Sequence, residues 1–181
     1  MRGFFDILNR GLIVALVGVS LWAWPRLPER IPTHFGMDGQ ADAWSETTLM
    51  SWFLVPGIAL LLVVLIGWFR GMIYRKPGWV NLPDKTKLQD LPEVARGPVL
   101  DALSGLLAMV QTEMLIIFGL VQLSTYRSAM GQESQGLIIL VLLIAILSSP
   151  VLLVVFFLTY QSAMAKGKAL AAAEEMENAP V

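Results

Sequence analysis

The sequence predicts an all-α fold, an integral membrane four-helix bundle with a short external β-hairpin between its first two helices. Three observations carry that expectation. Hydrophobic residues make up 56% of the 181-residue chain and charged residues only 15%, against roughly 25% charged in an ordinary soluble domain. Four apolar runs are each long enough to cross a hydrocarbon core about 30 Å thick, which takes about 20 residues of helix. Between the first two runs lies a polar, turn-rich stretch, IPTHFGMDGQADAW, which holds the single histidine of the chain.

The first run extends from about Phe4 to Trp24, with Asp6 and Arg10 near its start. The second, about Leu49 to Phe69, is uncharged, and the third, about Ala102 to Tyr126, carries one charge, Glu113. The fourth, about Gln135 to Tyr160, contains Pro150. Backbone crosses lipid only as helix or closed barrel, and runs this long without two-residue alternation predict helix. The chain therefore divides into a helical pair with its loop (1–69), a connecting loop (70–101), a second helical pair (102–165) and a tail (166–181). The connecting loop carries Pro77, Pro83, Pro92 and Pro98. Extended or turn-rich backbone is expected there, with a short helical piece around Lys85 to Ala95. Arg70, Arg75 and Lys76 below the second span read as anchors to anionic lipid, each worth about 1 kcal/mol. The tail ALAAAEEMENAPV reads as a short, solvated, fraying helix.

Charge bias predicts the orientation. With the N-terminus inside, Arg2, Arg10, Arg70, Arg75, Lys76, Lys85, Lys87, Arg96, Lys166 and Lys168 are cytoplasmic, 10 of the 13 basic residues, and only Arg26, Arg30 and Arg127 lie outside. The positive-inside rule then places both termini in the cytoplasm of a bacterial inner-membrane protein and the 25–48 loop outside. Trp22, Trp24, Trp44 and Trp52 flank the outer loop, and Trp68, Tyr74 and Trp79 flank the inner one, as interfacial aromatics do. Arg2, the apolar run and Ala23 also fit a signal peptide. Cleavage would leave three spans and carry Lys166 and Lys168 outside, so an uncleaved anchor is expected.

A net charge of −1 gives no electrostatic case for nucleic acid. Cysteine is absent, which removes disulfides, thiolate metal sites and cysteine nucleophiles. The chain holds no nucleotide-binding glycine loop, no Ser-His-Asp set and no zinc motif, and no cofactor is expected. The expected partners are the lipid bilayer, a peptide or another membrane protein, and a second copy of the chain.

Two places concentrate polar chemistry. In the third run, Glu113 lies near the bilayer centre, where a charge costs about 2.5 to 3.5 kcal/mol on insertion scales. It is expected to be neutral or partnered. Gln111 and Thr112 adjoin it, and Ser148 and Ser149 fall at matching depth in the fourth run. Pro150 removes a helical hydrogen bond and frees the carbonyl of Ile146 as an acceptor. These residues predict a midplane cluster between the third and fourth helices. It acts either as interhelical glue, at about 0.6 kcal/mol per bond, or as a proton or cation site of a small transporter centred on Glu113.

In the outer loop, Pro25, Pro28 and Pro32 end the first helix. Asp38-Gly39 is a type I′ turn signal between short extended segments, Thr33 to Phe35 and Ala41 to Ala43. A two-residue turn there pairs Met37 with Gln40 and sets His34 opposite Ala43, near Asp42. His34, Asp38 and Asp42 are candidate metal ligands, since imidazole and carboxylates suit divalent ions, and a metal-dependent membrane enzyme using His34 and Asp42 is one reading of the loop. A hydrogen-bonding or capping role for His34 is the other.

The pattern Leu27-Pro-x-x-Ile-Pro-Thr-His-Phe-Gly, followed by Gly39 and Asp42-x-Trp44 between two spans, resembles a bacterial membrane domain of unknown function. That domain also forms the N-terminal part of Sdp-type toxin immunity proteins. The resemblance runs from about Gly11 to Phe69 and picks out Pro28, Pro32, His34, Phe35, Gly39 and Asp42. Gly36 stands where the pattern usually has Asn, and the Asn-Pro-Arg-x-Gly motif of the immunity proteins' later helices has no counterpart. The resemblance implies a multi-span protein, and it suggests protection of a producing cell against a membrane-acting peptide. The resulting expectation is a non-enzymatic immunity or stress-accessory factor recognising a peptide, lipid or partner through its outer loop.

Overall fold

The computed structural model describes residues 2–83 and 87–178. Lys85, where a short helical piece was expected to begin, lies outside the described residues. Four helices and one hairpin follow the order of the apolar runs: α1 (Arg2–Ala23), β1 (Arg30–Phe35), β2 (Ala41–Glu46), α2 (Leu49–Arg75), α3 (Glu93–Ala129) and α4 (Gln135–Glu177). All four helices are long and apolar enough to cross a membrane.

The helix ends have local causes. α1 passes into a single 3₁₀ turn at Trp24–Arg26 with Pro25 inside it, and the Arg26 guanidinium lies 4.4 Å over the Trp22 ring. α2 begins at a reciprocal cap, in which the Thr48 hydroxyl accepts from the Ser51 amide at 3.1 Å and the Ser51 hydroxyl accepts from the Thr48 amide at 2.9 Å. That exchange satisfies two amides which the first helical turn leaves without partners.

Two helices run well past their apolar cores. α3 starts directly after Pro92, at Glu93, with Pro98 inside it, where sequence placed a loop until 101. A proline in the second turn forgoes one backbone bond, and burial of Ala95 and Val99 offsets that loss. α4 has 43 residues, about 65 Å at 1.5 Å per residue, so the expected separate tail continues the fourth helix through Glu177. Among its described residues the connecting loop keeps only 3₁₀ turns at Pro77–Trp79 and Leu88–Asp90 and a bridge pairing Asn81 with Lys87.

α3 is the helix that the others share. It packs against α1, α2 and α4, whereas α1 and α2 touch each other only slightly. Three apolar clusters are strung along it. At the hairpin end Ala23, Ile31 and Trp52 are buried beneath Trp24, Phe53, Tyr126 and Ala129. Midway, Leu16, Ala59 and Leu115 join α1, α2 and α3. At the far end Leu82 and Leu88 of the connecting loop close over Val99, Tyr160 and Ala163. A Cβ added at Gly167 would lie 3.0 Å from Ala95, so glycine there lets α4 approach α3 closely. The outward face of α4, with Leu143, Ile146, Leu147, Val151 and Leu158 exposed, is the surface a lipid-facing helix presents.

Trp52 ties the first cluster together. It is 1% exposed, its indole N–H donates to the Ser20 carbonyl of α1 at 2.9 Å, and its own carbonyl accepts from the Gln122 amide of α3 at 3.4 Å. Replacing Trp52 by Phe removes the indole donor and should cost about 1 kcal/mol; Trp52→Ala should cost about 3 to 5 kcal/mol through the cavity it leaves. Thermal unfolding of the detergent-solubilised protein checks both. Equal stability of the two variants would mean that the indole does not hold the helices.

Candidate functional site

The first candidate region is the hairpin. Its strands pair Arg30 with Glu46, Ile31 with Ser45, Pro32 with Trp44, His34 with Ala43 and Phe35 with Ala41, with register shifts on either side of His34. The strands are longer than sequence suggested, and the turn lies one residue earlier. The Gly39 amide donates to the Gly36 carbonyl at 2.9 Å and the Gly36 amide to the Gln40 carbonyl at 2.8 Å, so Met37 and Asp38 are central and Gly36 opposes Gln40. A type I′ turn would require positive φ at both Asp38 and Gly39. Gly39 has positive φ, at +79°, but lies after the two central residues, and Asp38 uses its carboxylate to accept from the Gln40 amide at 3.1 Å.

This geometry decides the fate of the proposed ligand set. The structure brings His34 and Asp42 together, with Nδ1 2.5 Å from Oδ1, and leaves both side chains exposed. Asp38 is committed to the turn, and among the described residues no three His, Asp or Glu side chains converge as metal ligands. Gly36 is confined by both acids, since a Cβ there would lie 2.8 Å from Asp38 Oδ1 and 3.4 Å from Asp42 Oδ2.

The hairpin is fastened on several sides. Ile31 and Pro32 are buried, the Thr47 hydroxyl donates to the Pro28 carbonyl at 2.6 Å, and Arg30 donates to the Trp44 carbonyl at 3.2 Å. Its tip rests on the start of α4, where a Cβ on Gly39 would lie 2.8 Å from the Gln135 carbonyl. What remains outside is Met37, 94% exposed, and Trp44, 39% exposed, together with the His34–Asp42 pair. Phe35 is half-buried.

The predicted midplane cluster is divided among three neighbours, because consecutive helical residues point about 100° apart. Thr112 turns to α1, donating to Asn9 Oδ1 at 2.6 Å, while the Asn9 amide donates to the Ala108 carbonyl at 3.0 Å. Glu113 turns to α4, where its carboxyl meets the Ser148 hydroxyl. Gln111 turns to the space between α1 and α2. The partner of Glu113 is thus Ser148 and not the Ile146 carbonyl freed by Pro150. Ser148 also lies 2.5 Å from the Ile144 carbonyl. A hydroxyl has one hydrogen, so Ser148 shares it between the Glu113 carboxyl and the Ile144 carbonyl. Ser149 bonds back to the Ala145 carbonyl at 3.0 Å on an exposed face, and Pro150 is exposed.

Sequence reasoning missed the polar group at the end opposite the hairpin. Arg70, read as a lipid anchor, forms an ion pair with Asp6 at 2.8 Å and donates to the buried Ser104 hydroxyl at 3.1 Å. The Tyr74 hydroxyl donates to Asp101 at 2.9 Å. The signal was present in spacing: Asp6, Asn9, Arg10 and Ile13 fall three or four apart on one face of α1, as do Gly67, Arg70, Gly71 and Tyr74 on α2.

Residues 11–60 match the family model of a domain of unknown function (DUF1648), which takes in most of α1, the whole hairpin and the start of α2. No curated protein and no solved structure gives a match.

Two substitutions separate conformational strain from contact at the hairpin tip. Gly39 and Gly131 both have positive φ, at 79° and 69°, but only Gly39 faces backbone, with open space around Gly131. Gly131→Ala should cost about 1 kcal/mol of strain, and Gly39→Ala clearly more, read as unfolding midpoints in the same detergent. Equal losses would show that the hairpin tip does not rest on α4. For the membrane carboxyl, Glu113→Gln keeps a partner for Ser148 and should unfold close to the native protein, whereas Glu113→Ala should lose about 0.6 kcal/mol. The reverse order would remove the interhelical bond from consideration.

Proposed function

We propose that this chain is a non-enzymatic, multi-pass protein of the bacterial inner membrane whose outer hairpin recognises a peptide or partner membrane protein. The supporting observation is the contrast within the hairpin. Its underside is locked by buried Ile31 and Pro32 and by Gly39 against Gln135, while Met37, Trp44 and the His34–Asp42 pair face outward. A surface held rigid before contact loses little conformational entropy on binding, and an exposed aromatic beside a polar pair is a common interface anchor. His34 and Asp42 satisfy each other across the hairpin and leave a polar pair on its outer face, which suits recognition.

The orientation rests on charge. Among the described residues the hairpin end carries Arg26, Arg30 and Arg127, and the opposite end the nine other basic residues, so both termini are cytoplasmic and the hairpin is external. Protection against a membrane-acting peptide, as an immunity or stress-accessory factor, is the form of recognition that the loop pattern suggests. The reading of Glu113 as a transporter's ion site has less support, because its contact is a hydroxyl and not a second charge.

The cysteine-free chain makes the topology directly testable. A membrane-impermeant maleimide applied to intact spheroplasts should label Met37→Cys and leave Lys166→Cys unlabelled until lysis; the opposite pattern would invert the protein. For recognition, cells lacking the gene and complemented with native protein should survive a panel of membrane-acting peptides better than cells carrying His34→Ala, Asp42→Ala and Trp44→Ala together. The triple variant should unfold within a few degrees of the native protein. Full protection by it would end the hairpin reading.

A further inference from the structure

At the end opposite the hairpin, a cavity of about 440 Å³ lies in the groove between α1 and α2, lined by Asp6, Asn9, Arg10 and Ile13 on one wall and Val63, Gly67, Arg70, Gly71 and Tyr74 on the other, with Ser104 and Gln111 of α3 at its back. We infer that it is a binding site for the phosphodiester headgroup of an anionic phospholipid. Four observations meet there.

The first is charge. The lining holds two guanidinium groups and one carboxylate, a net +1, which a singly charged phosphodiester neutralises. The second is that only one of the two cations is committed. Arg70 is held in place by Asp6 and Ser104, while among the described residues Arg10 has no hydrogen bond or ion pair. The third is the Gln111 side chain, 94% buried, given its 6% exposure, facing the cavity and without a hydrogen-bond partner among the described residues. The amide opens onto the cavity and not onto a protein acceptor, and its N–H groups are donors that a phosphate oxygen would accept from. The fourth is room. Cβ atoms added at Gly67 and Gly71 would meet nothing within 4 Å, so these glycines leave space where side chains would otherwise fill the groove.

Geometry selects a lipid over a soluble phosphate. α3 forms the floor and α1 and α2 the walls, so the open side faces away from the bundle, toward acyl chains. Ile13 and Val63 line the deeper part, and the charged residues lie toward the helix ends, where headgroups sit. Basic pockets between spans on the cytoplasmic side bind anionic headgroups in this way.

The test measures binding of short-chain phosphatidylglycerol and of phosphatidylcholine with the same chains to the full-length protein in neutral detergent. Native protein should bind phosphatidylglycerol about tenfold more tightly, the factor expected of one charge-assisted contact. Arg10→Gln, which removes no contact within the fold, should reduce that preference to within about twofold. Gly67→Leu, which fills the groove and keeps every charge, should weaken phosphatidylglycerol binding by a similar factor. A preference unchanged in both variants would overturn the site. Glycerophosphoglycerol, the same phosphodiester without acyl chains, should fail to displace the lipid at equal concentration, and displacement would overturn the lipid assignment.

Discussion

The structure turns on one buried hydrogen bond, from the Trp52 indole to the Ser20 carbonyl. Between helices in lipid there is little hydrophobic force to gain, and association rests on packing and interhelical hydrogen bonds. Trp52 supplies both at once. It fills the space beneath Ile31 of the hairpin and beside Ala23 of α1, and its backbone carbonyl receives Gln122 of α3. Two helices, the hairpin and α3 therefore meet at one side chain. With α1 and α2 hardly touching elsewhere, this junction and α3 behind it set the width of the groove between them, and so the space around Arg10 and Gln111.

α3 shows how one helix can serve three neighbours without a long polar stripe. Gln111, Thr112 and Glu113 are adjacent in sequence, yet each meets a different partner: the groove, Asn9 and Ser148. Small buried residues, Ser104 and Ala108 among them, lie one to two turns before these contacts, where Arg70 of α2 and Asn9 of α1 reach α3. Polar residues thus fix the rotation of α3 while small ones fix its distances.

The four spans and the hairpin were legible because each is written in local pattern: apolar length for the spans, prolines and Asp38-Gly39 for the hairpin. The exact turn was not, because Asp-Gly allows more than one turn, and here Asp38 takes a central position with its carboxylate on the Gln40 amide while Gly39 follows the turn. The start of α3 was hidden by Pro98, a helix breaker by propensity that is tolerated where Ala95 and Val99 pack against α4. The Asp6–Arg70 pair was hidden for a different reason. Its members are 64 positions apart, and each alone resembles an ordinary charge at a membrane boundary. The grouping at 111–113 misled by adjacency, since neighbours in sequence diverge around a helix.

The close seat of Gly39 on Gln135 bears on modularity. The segment matched as a domain, residues 11–60, is a recurring unit of sequence, but it is not a unit of folding. Ile31, Trp52, Leu16 and Ala59 are all covered by side chains or backbone contributed with α3, and the hairpin tip is covered by α4. In this chain the matched segment therefore depends on α3 and α4 for its covering.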